Sequence, residues 1–340
     1  MVSYIDLSYR YIYFFINKKS IYLHLMESIP YDKRSGKIWF NGKTVDWLDA
    51  NIHILNHGLH YASCVFEGER VYEGEIFKLE EHTERLFYSA KRMGISVPYT
   101  QEEINNACKK IVHIQKVMNG YVRPLIWRGS EMMAISAQKN KIHVAIATWE
   151  WGSYFDPKLK LNGIKLDISN WRKPAPNTIP WDTKAAGLYM INTLSKHEAE
   201  EKGFTDSLML DHEGNIAEAT GANIFFKDDT GELHTPIPDS FLDGITRREV
   251  IKIATKSEDF RVQCVCIHGR SNNTEDLMKV VLSSTTVIIV FLCCRPQTGH
   301  KILRRSPARE VFCCLFLPNT KSCPTKVRYD YTHLYFNVLY

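Results

Sequence analysis

From Lys37 onward the chain alternates between short apolar runs and turn signals. Ile38-Trp39-Phe40 and Thr44-Val45 flank Asn41-Gly42, a dipeptide suited to a tight hairpin turn, so two paired strands are expected there. His57-Gly58-Leu59-His60-Tyr61 precedes a second run from Val65 to Tyr72, and Glu73-Gly74-Glu75 turns the chain into another strand at Ile76-Phe77. The period then lengthens. Leu79, Leu86, Phe87 and Ala90 share one stripe, which predicts a helix over residues 80–93 with Gly94 as its C-terminal cap. Ile104, Ala107, Cys108, Ile111 and Val112 repeat at helical spacing and predict a second helix over residues 101–117. Residues 121–127 and 142–148 return to strand-like composition, so this part of the chain reads as a sheet with two helices.

A proline-rich loop separates that unit from the next. Pro174, Pro176 and Pro180 hold the backbone extended ahead of Lys184, and Ala185, Ala186 and Gly187 leave room beside its amine for a flat ligand. A lysine able to lose its proton is what imine chemistry requires. A helix is expected directly after it: Leu188, Ile191, Leu194 and Ala199 recur at helical spacing, Lys196, Glu198, Glu200 and Glu201 face water, and Gly203 ends it. Residues 207–210 read as a strand, 212–215 as a turn, and 216–226 as a returning strand broken at Gly221. Thr246 with Glu249 three residues later fits a capping box at a helix start.

Composition narrows the function classes. At 340 residues, 44% hydrophobic and 24% charged, the chain has the make-up of a globular protein with room for two domains. A formal net charge of +5, with no dense Lys/Arg block, gives nucleic-acid binding little support. No run reaches the ~20 consecutive apolar residues of a membrane helix. Cys64 and Cys108 stand apart from Cys264, Cys266, Cys293, Cys294, Cys313, Cys314 and Cys323, whose spacings lack the paired C-x-x-C arrangement of a zinc site; no metal is expected, and a reducing compartment is. Residues 1–25 are aromatic-rich, with Lys18-Lys19 interrupting their apolar run, unlike a secretory signal. Met26 is therefore read as the functional start.

The segment Pro174–Tyr189 resembles the lysine motif of branched-chain amino-acid aminotransferases, in the class IV group of pyridoxal-phosphate (PLP) enzymes. Similar blocks follow the family's order from about Ile38 to about Ala254: Phe66-Glu67-Gly68-Glu69-Arg70, Tyr121-Val122-Arg123-Pro124, the stretch around Glu218, and Gly244-Ile245-Thr246-Arg247. The resemblance implies the α+β, two-domain fold of class IV PLP-dependent aminotransferases, of the D-amino-acid-aminotransferase-like type. Residues 26–155 would form the smaller α/β domain, 156–180 the connection and 181–290 the larger, PLP-binding domain, with 1–25 and 291–340 outside the match. It also implies transfer of amino groups between L-leucine, L-isoleucine or L-valine and 2-oxoglutarate, in a cytoplasmic homodimer or higher homo-oligomer with no nucleic-acid or membrane partner.

Carried over residue by residue, the resemblance makes Lys184 the catalytic lysine that forms the imine and shuttles the substrate proton. Tyr189 would lie near the cofactor phenolate oxygen, and Glu218 at the pyridine nitrogen, where an anion keeps the ring protonated. Arg85, Ile245, Thr246 and Thr285 would hold the phosphate, helped by the amides and dipole of a helix N-terminus. Tyr61, Phe66, Tyr121 and Trp151 would line the side-chain pocket, Arg123 and Arg70 would supply its cationic end, and Tyr154 would reach across a dimer interface.

Departures from the family pattern gather after about Ile253. If Thr285 matches the threonine of the family's Gly-Thr-Ala turn, Ser284 and Thr286 replace the small residues beside it, and glycine there supplies backbone geometry that a Cβ forbids. The cysteine-rich run beyond Phe291 resembles nothing in the family; a shifted reading frame or a decayed gene end would account for it. The alternatives are therefore another class IV enzyme (D-amino-acid aminotransferase or aminodeoxychorismate lyase) or a non-catalytic remnant.

Overall fold

The computed structural model describes residues 29–152, 164–228, 232–256 and 261–265, and gives backbone alone for 227–228, 284–290 and 335–339. Tyr154, the N-terminal extension and most of the tail lie outside the described residues.

The expected hairpin is present as β1 (Lys37–Phe40) and β2 (Lys43–Asp46). It turns at Asn41 and Gly42, both at positive φ, which asparagine and glycine tolerate. A short helix α1 (His57–Tyr61) leads to β3 (Cys64–Phe66) and β4 (Glu69–Tyr72), and the Glu73-Gly74 turn leads to β5 (Glu75–Ile76). With β6 (Asn119–Arg128) and β7 (Ile142–Glu150) these form one antiparallel sheet in the order β2-β1-β7-β6-β4-β5, with β3 also paired to β6.

Helices α2 (Leu79–Arg92) and α3 (Gln101–Gln115) cover that sheet. Leu86, Ala90, Ile104 and Ile111 from the helices meet Val65, Val71, Val122, Ile126, Val144 and Ile146 from the strands in one buried cluster. Each fully buried aliphatic side chain there contributes about 1.5–3 kcal/mol. Gly94 caps α2 as expected: it has positive φ and its amide donates to Lys91 O, while the amide of Ile95 donates to Ala90 O.

A second, mixed sheet holds β8 (Ile164–Arg172), β9 (Asp206–Leu210), β10 (Ile216–Ala219), β11 (Asn223–Asp228), β12 (Leu233–Pro236), β13 (Val262–Val265), β14 (Ser284–Val290) and β15 (Tyr335–Leu339). Its strand order is β10-β9-β8-β15-β14-β11-β12-β13. Helices α4 (Met190–Glu201) and α5 (Ile245–Thr255) belong to this half, α4 packing on β8 and β9. The break expected at Gly221 is real: β10 and β11 are separate strands with Thr220–Ala222 between them.

Four expectations need correction. The stretch 156–180, read as a connection, contains all of β8, whose Leu166, Asp167 and Ile168 pair in parallel with Asp206, Ser207 and Leu208 of β9. Its alternation of apolar and polar residues is a strand signal hidden by the prolines that follow. The helix after Lys184 does not start at once: Ala186–Tyr189 form a 3₁₀ turn and α4 begins at Met190. Its buried face is Asn192, Ser195 and Ala199, while Leu194 is 38% exposed, because polar partners across the interface take the inward side. Finally, Thr246 is not an N-cap. Gly244 occupies that position, without a side-chain cap, so Thr246 already lies inside the first turn of α5 and Glu249 turns to Lys78 at 3.2 Å instead.

Candidate active site

Two backbone contacts set Lys184 against the first sheet. Its carbonyl accepts from the amide of Phe66 at 3.1 Å, and its own amide donates to Ser89 Oγ of α2 at 3.0 Å. Ala185 bridges antiparallel to Val65 and joins the first core, so the segment before α4 acts as a short edge on β3. Asp182 adds an ion pair to Arg92 at 3.2 Å and accepts from the Tyr88 hydroxyl. The backbone of the lysine segment is therefore positioned by β3 and α2 of the first half.

Its side chain points into a dry setting. Lys184 is 8% exposed, and its Nζ donates to the Tyr189 hydroxyl at 2.8 Å. Burial pulls the amine down to about 8, with Glu67 opposing and Arg85 and Arg123 adding to the fall. A substantial neutral fraction is thus available near neutral pH, as a nucleophilic or proton-accepting amine needs. Burial, reinforced by Glu218, pushes the Tyr189 hydroxyl well above its ordinary range, so it stays protonated.

Arg85, on α2, reaches the same cleft and is held from behind by Glu67. Nε and Nη2 donate to the two carboxylate oxygens at 2.6 and 2.9 Å, a bidentate pair, and His82 Nδ1 donates to Glu67 at 2.7 Å. Burial alone would raise the Glu67 carboxyl, but Arg85 and His82 outweigh it and hold it well below the usual carboxylate range. Burial lowers His82, which stays neutral with its proton on Nδ1.

Across the cleft, Glu218 sits on β10 beside a register shift in its pairing with β9. Lys173 Nζ lies 2.7 Å from its Oε1, and Asn223 Nδ2 donates to its Oε2 at 3.1 Å. The cleft itself lies between Arg85, Lys184, Tyr189, Glu218, Ile245 and Thr246. At its α5 end the first-turn amides have no side-chain cap, and the Thr246 hydroxyl is buried without a partner among the described residues. Orphaned donors at a helix N-terminus, with an arginine alongside, suit a phosphate monoester. The residues present therefore fit a phosphorylated, aldehyde-bearing aromatic ligand: an amine, an acid and an anion cradle line one cavity.

An aromatic path leaves the lysine on the first-sheet side. Phe66 packs 4.8 Å from the Tyr189 ring, Arg123 stacks 4.5 Å over Phe66, Arg123 Nη2 donates to the Tyr121 hydroxyl at 3.2 Å, and Tyr121 meets Trp151 at 4.7 Å. Arg70 pairs with Tyr121 in register and donates to Gly152 O at 3.3 Å. The Nε atoms of Arg70 and Arg123 are buried without partners among the described residues, spare donors for a carboxylate.

Of the residues expected from the sequence, Arg85, Lys184, Tyr189, Glu218, Ile245 and Thr246 meet in the cleft, and Phe66, Arg70, Tyr121, Arg123 and Trp151 adjoin it. Tyr61 does not: it is 45% exposed on α1, stacked on His57. Thr285 does not either. Strand β14 runs antiparallel to β11 so that Val290 opposes Asn223, and Thr285 lies at the far end beside Lys227 and Asp228. Sequence reading missed Glu67, His82, Lys173, Asn192 and Asn223. His82 and Arg85 are three apart on one helix face, a legible signal; Lys173, a lysine after a strand and before a proline, carries none.

Comparisons with known proteins bear on the family and the fold. The model of the amino-transferase class IV family matches residues 64–277. A probable branched-chain-amino-acid aminotransferase of Rickettsia bellii is 47% identical over 217 residues, 64% of this chain and 73% of that protein. The branched-chain-amino-acid aminotransferase of Pseudomonas aeruginosa is 39% identical over 227 residues, 66% of this chain and 74% of that protein. Among solved structures, a T.th. branched-chain amino acid aminotransferase with pyridoxamine 5′-phosphate superposes with a TM-score of 0.70 at 34% identity, covering 76% of this chain and 83% of that one. The Escherichia coli enzyme gives a TM-score of 0.70 at 33% identity, covering 76% and 84%.

Proposed function

Because the chain belongs to the class IV amino-transferase family, we propose that it is a branched-chain amino-acid transaminase. It moves amino groups between L-leucine, L-isoleucine or L-valine and 2-oxoglutarate, with pyridoxal 5′-phosphate as cofactor. The observation that carries this reading is the buried Lys184 amine, pulled down to about 8 and sharing one cleft with Glu218 and the orphaned Thr246 hydroxyl.

When bound, PLP supplies the electron sink for the pair left on the substrate α-carbon after proton loss. Lys184 would hold the cofactor aldehyde covalently, Arg85 with Thr246 and the amides of Ile245 and Thr246 its phosphate, and Glu218 its ring nitrogen. When not bonded to the cofactor, Lys184 Nζ would take the substrate α-proton and later return it. Tyr189, kept protonated by its burial, donates to whatever oxygen lies beside Nζ. Phe66, Tyr121 and Trp151 exclude water and receive the branched side chain. Arg123, helped by Arg70, receives the distal carboxylate of glutamate or 2-oxoglutarate, which is how one pocket serves two unlike substrates. Tyr154 would complete the pocket from a second subunit.

A homodimer is part of this reading. Leu48, Ile52, Ile54, Leu55, Leu59 and Ile135 are exposed, and the two segments that carry them are tied by His57 Nε2 to Ala134 O at 2.9 Å. Contiguous apolar surface of this kind marks an association site. A cytoplasmic setting is supported by Cys64 and Cys108, both buried free thiols.

The test is borohydride reduction of the PLP-loaded protein followed by peptide mapping, beside turnover with L-leucine, D-alanine and aminodeoxychorismate. Fixation on Lys184, its loss in Lys184→Ala, and preference for L-leucine are expected. Fixation on Lys173, the other lysine near the cleft, would overturn the assignment.

A further inference from the structure

Glu218, with Tyr189, Asn192 and Leu242, lines two adjoining cavities. The main cleft meets it beside Asn223, Gly244 and Thr246. A smaller one meets it beside Lys173, Trp181, Ser240 and Phe241. The carboxylate is held from both sides: Oε2 accepts from Asn223 on the cleft side, while Oε1 faces Lys173 Nζ at 2.7 Å on the other. Lys173 is itself tied down, donating to Asn192 Oδ1 at 2.9 Å, and Asn192 in turn donates to Thr220 O at 2.6 Å. The side chains of Lys173 and Glu218 are only 7% and 12% exposed, so the pair is screened little by solvent.

From this arrangement we propose that Lys173 is a positioning residue for the cofactor ring: it holds Glu218 as a carboxylate shared between its own ammonium and the ring nitrogen, and so limits how firmly the ring keeps its proton. The inference rests on the reading of the cleft as a PLP site. The charged and titratable groups around Glu218 are Lys173 from the loop after β8, Lys184 from the segment after that loop, and Tyr189 from the 3₁₀ turn; Asn223 on β11 is neutral. Burial raises the Glu218 carboxyl, and Lys173 is the largest influence drawing it back, ahead of Lys184. Without Lys173, a buried acid would face the ring with no neighbouring ammonium to offset it. Acid and ring nitrogen would then retain one proton between them to higher pH, because losing it would leave an uncompensated buried anion. With Lys173 present, that loss leaves a neutral ion pair. The lysine therefore makes the ring proton easier to release.

The experiment loads wild type, Lys173→Met, Lys173→Gln and Lys173→Arg with PLP carrying nitrogen-15 in the ring and follows its chemical shift from pH 6 to pH 10. The same samples are reduced and mapped. Deprotonation of the ring nitrogen is expected about one to three pH units higher in Lys173→Met than in wild type, with Lys173→Arg close to wild type. Lys173→Gln, which keeps a polar side chain without the charge, should follow Lys173→Met and serves if that variant does not fold. Equal midpoints in wild type and the neutral variants, or a wild-type ring still protonated at pH 10, would overturn the inference. Absence of the cofactor from Lys184 in wild type would instead overturn the PLP reading on which it stands.

Discussion

At the scale of single residues, Glu69 is a costly position in the first sheet. It lies on β4, fully buried, and neither carboxylate oxygen has a hydrogen-bond partner among the described residues. Burial pushes its carboxyl well above the ordinary value, and the nearby Glu67 adds to the rise. Because the folded state binds this proton more tightly than the unfolded state, stability from this residue is greatest below the unfolded pKa and falls as pH rises from there toward the folded one. Glu69→Ile should accordingly stabilise the protein by about 1–3 kcal/mol at pH 7. The gain should shrink toward pH 4.5, as read by urea unfolding at the two pH values. A loss of stability at pH 7 would mean that the acid has a partner outside the described residues. Glu67, two residues earlier and equally buried, differs only in its company: Arg85 and His82 make it an asset to the site.

At the scale of elements, two stretches share the S/T-x-x-E pattern and part ways in the structure. Thr100 caps α3: its hydroxyl accepts from the Glu103 amide at 3.2 Å and its amide donates to Glu103 Oε2 at 2.7 Å. Thr246 sits too late to cap α5, and its hydroxyl is left for a ligand. Thr100→Ala should therefore cost about 1 kcal/mol of stability and leave PLP affinity unchanged. Thr246→Ala should leave the unfolding free energy of the cofactor-free protein within about 0.5 kcal/mol and weaken PLP binding several-fold. Equilibrium unfolding and cofactor titration of both variants check the pair; a reversed pattern would remove the phosphate assignment from α5. Gly244, the residue that fills the cap position, has a packing reason of its own. A Cβ there would lie 2.1 Å from Asn223 Oδ1 and displace the asparagine that steadies Glu218.

For the molecule as a whole, the cleft lies where the two sheets meet, and that junction depends on the segment around Lys184 clamped between β3 and α2. The exposed apolar residues of segments 47–61 and 131–135 lie on the first-sheet half, with Tyr61 among them. Sedimentation velocity should show a dimer, and Leu59→Asp together with Ile135→Asp should convert it to monomer with lower turnover of L-leucine. A wild-type monomer of full activity would remove the second subunit from the site.

Local pattern was enough for the elements whose stability is local. The Asn41-Gly42 and Glu73-Gly74 turns, the stripe of α2 and its Gly94 cap follow from backbone preferences and from one apolar face seeking cover. Lys184, Arg85, Glu218 and Thr246, singled out through motif resemblance, come together along one cleft. Strand β8 was hidden by the prolines after it, and Leu194 and Thr285 were assigned to places that strand register and helix packing do not give them. What tertiary structure alone decided is the set of charge partners. Lys173 and Glu218 are distant in sequence and each is ordinary by itself; burial in a shared, poorly solvated interface couples them, and no one-dimensional pattern records which buried charge will meet which.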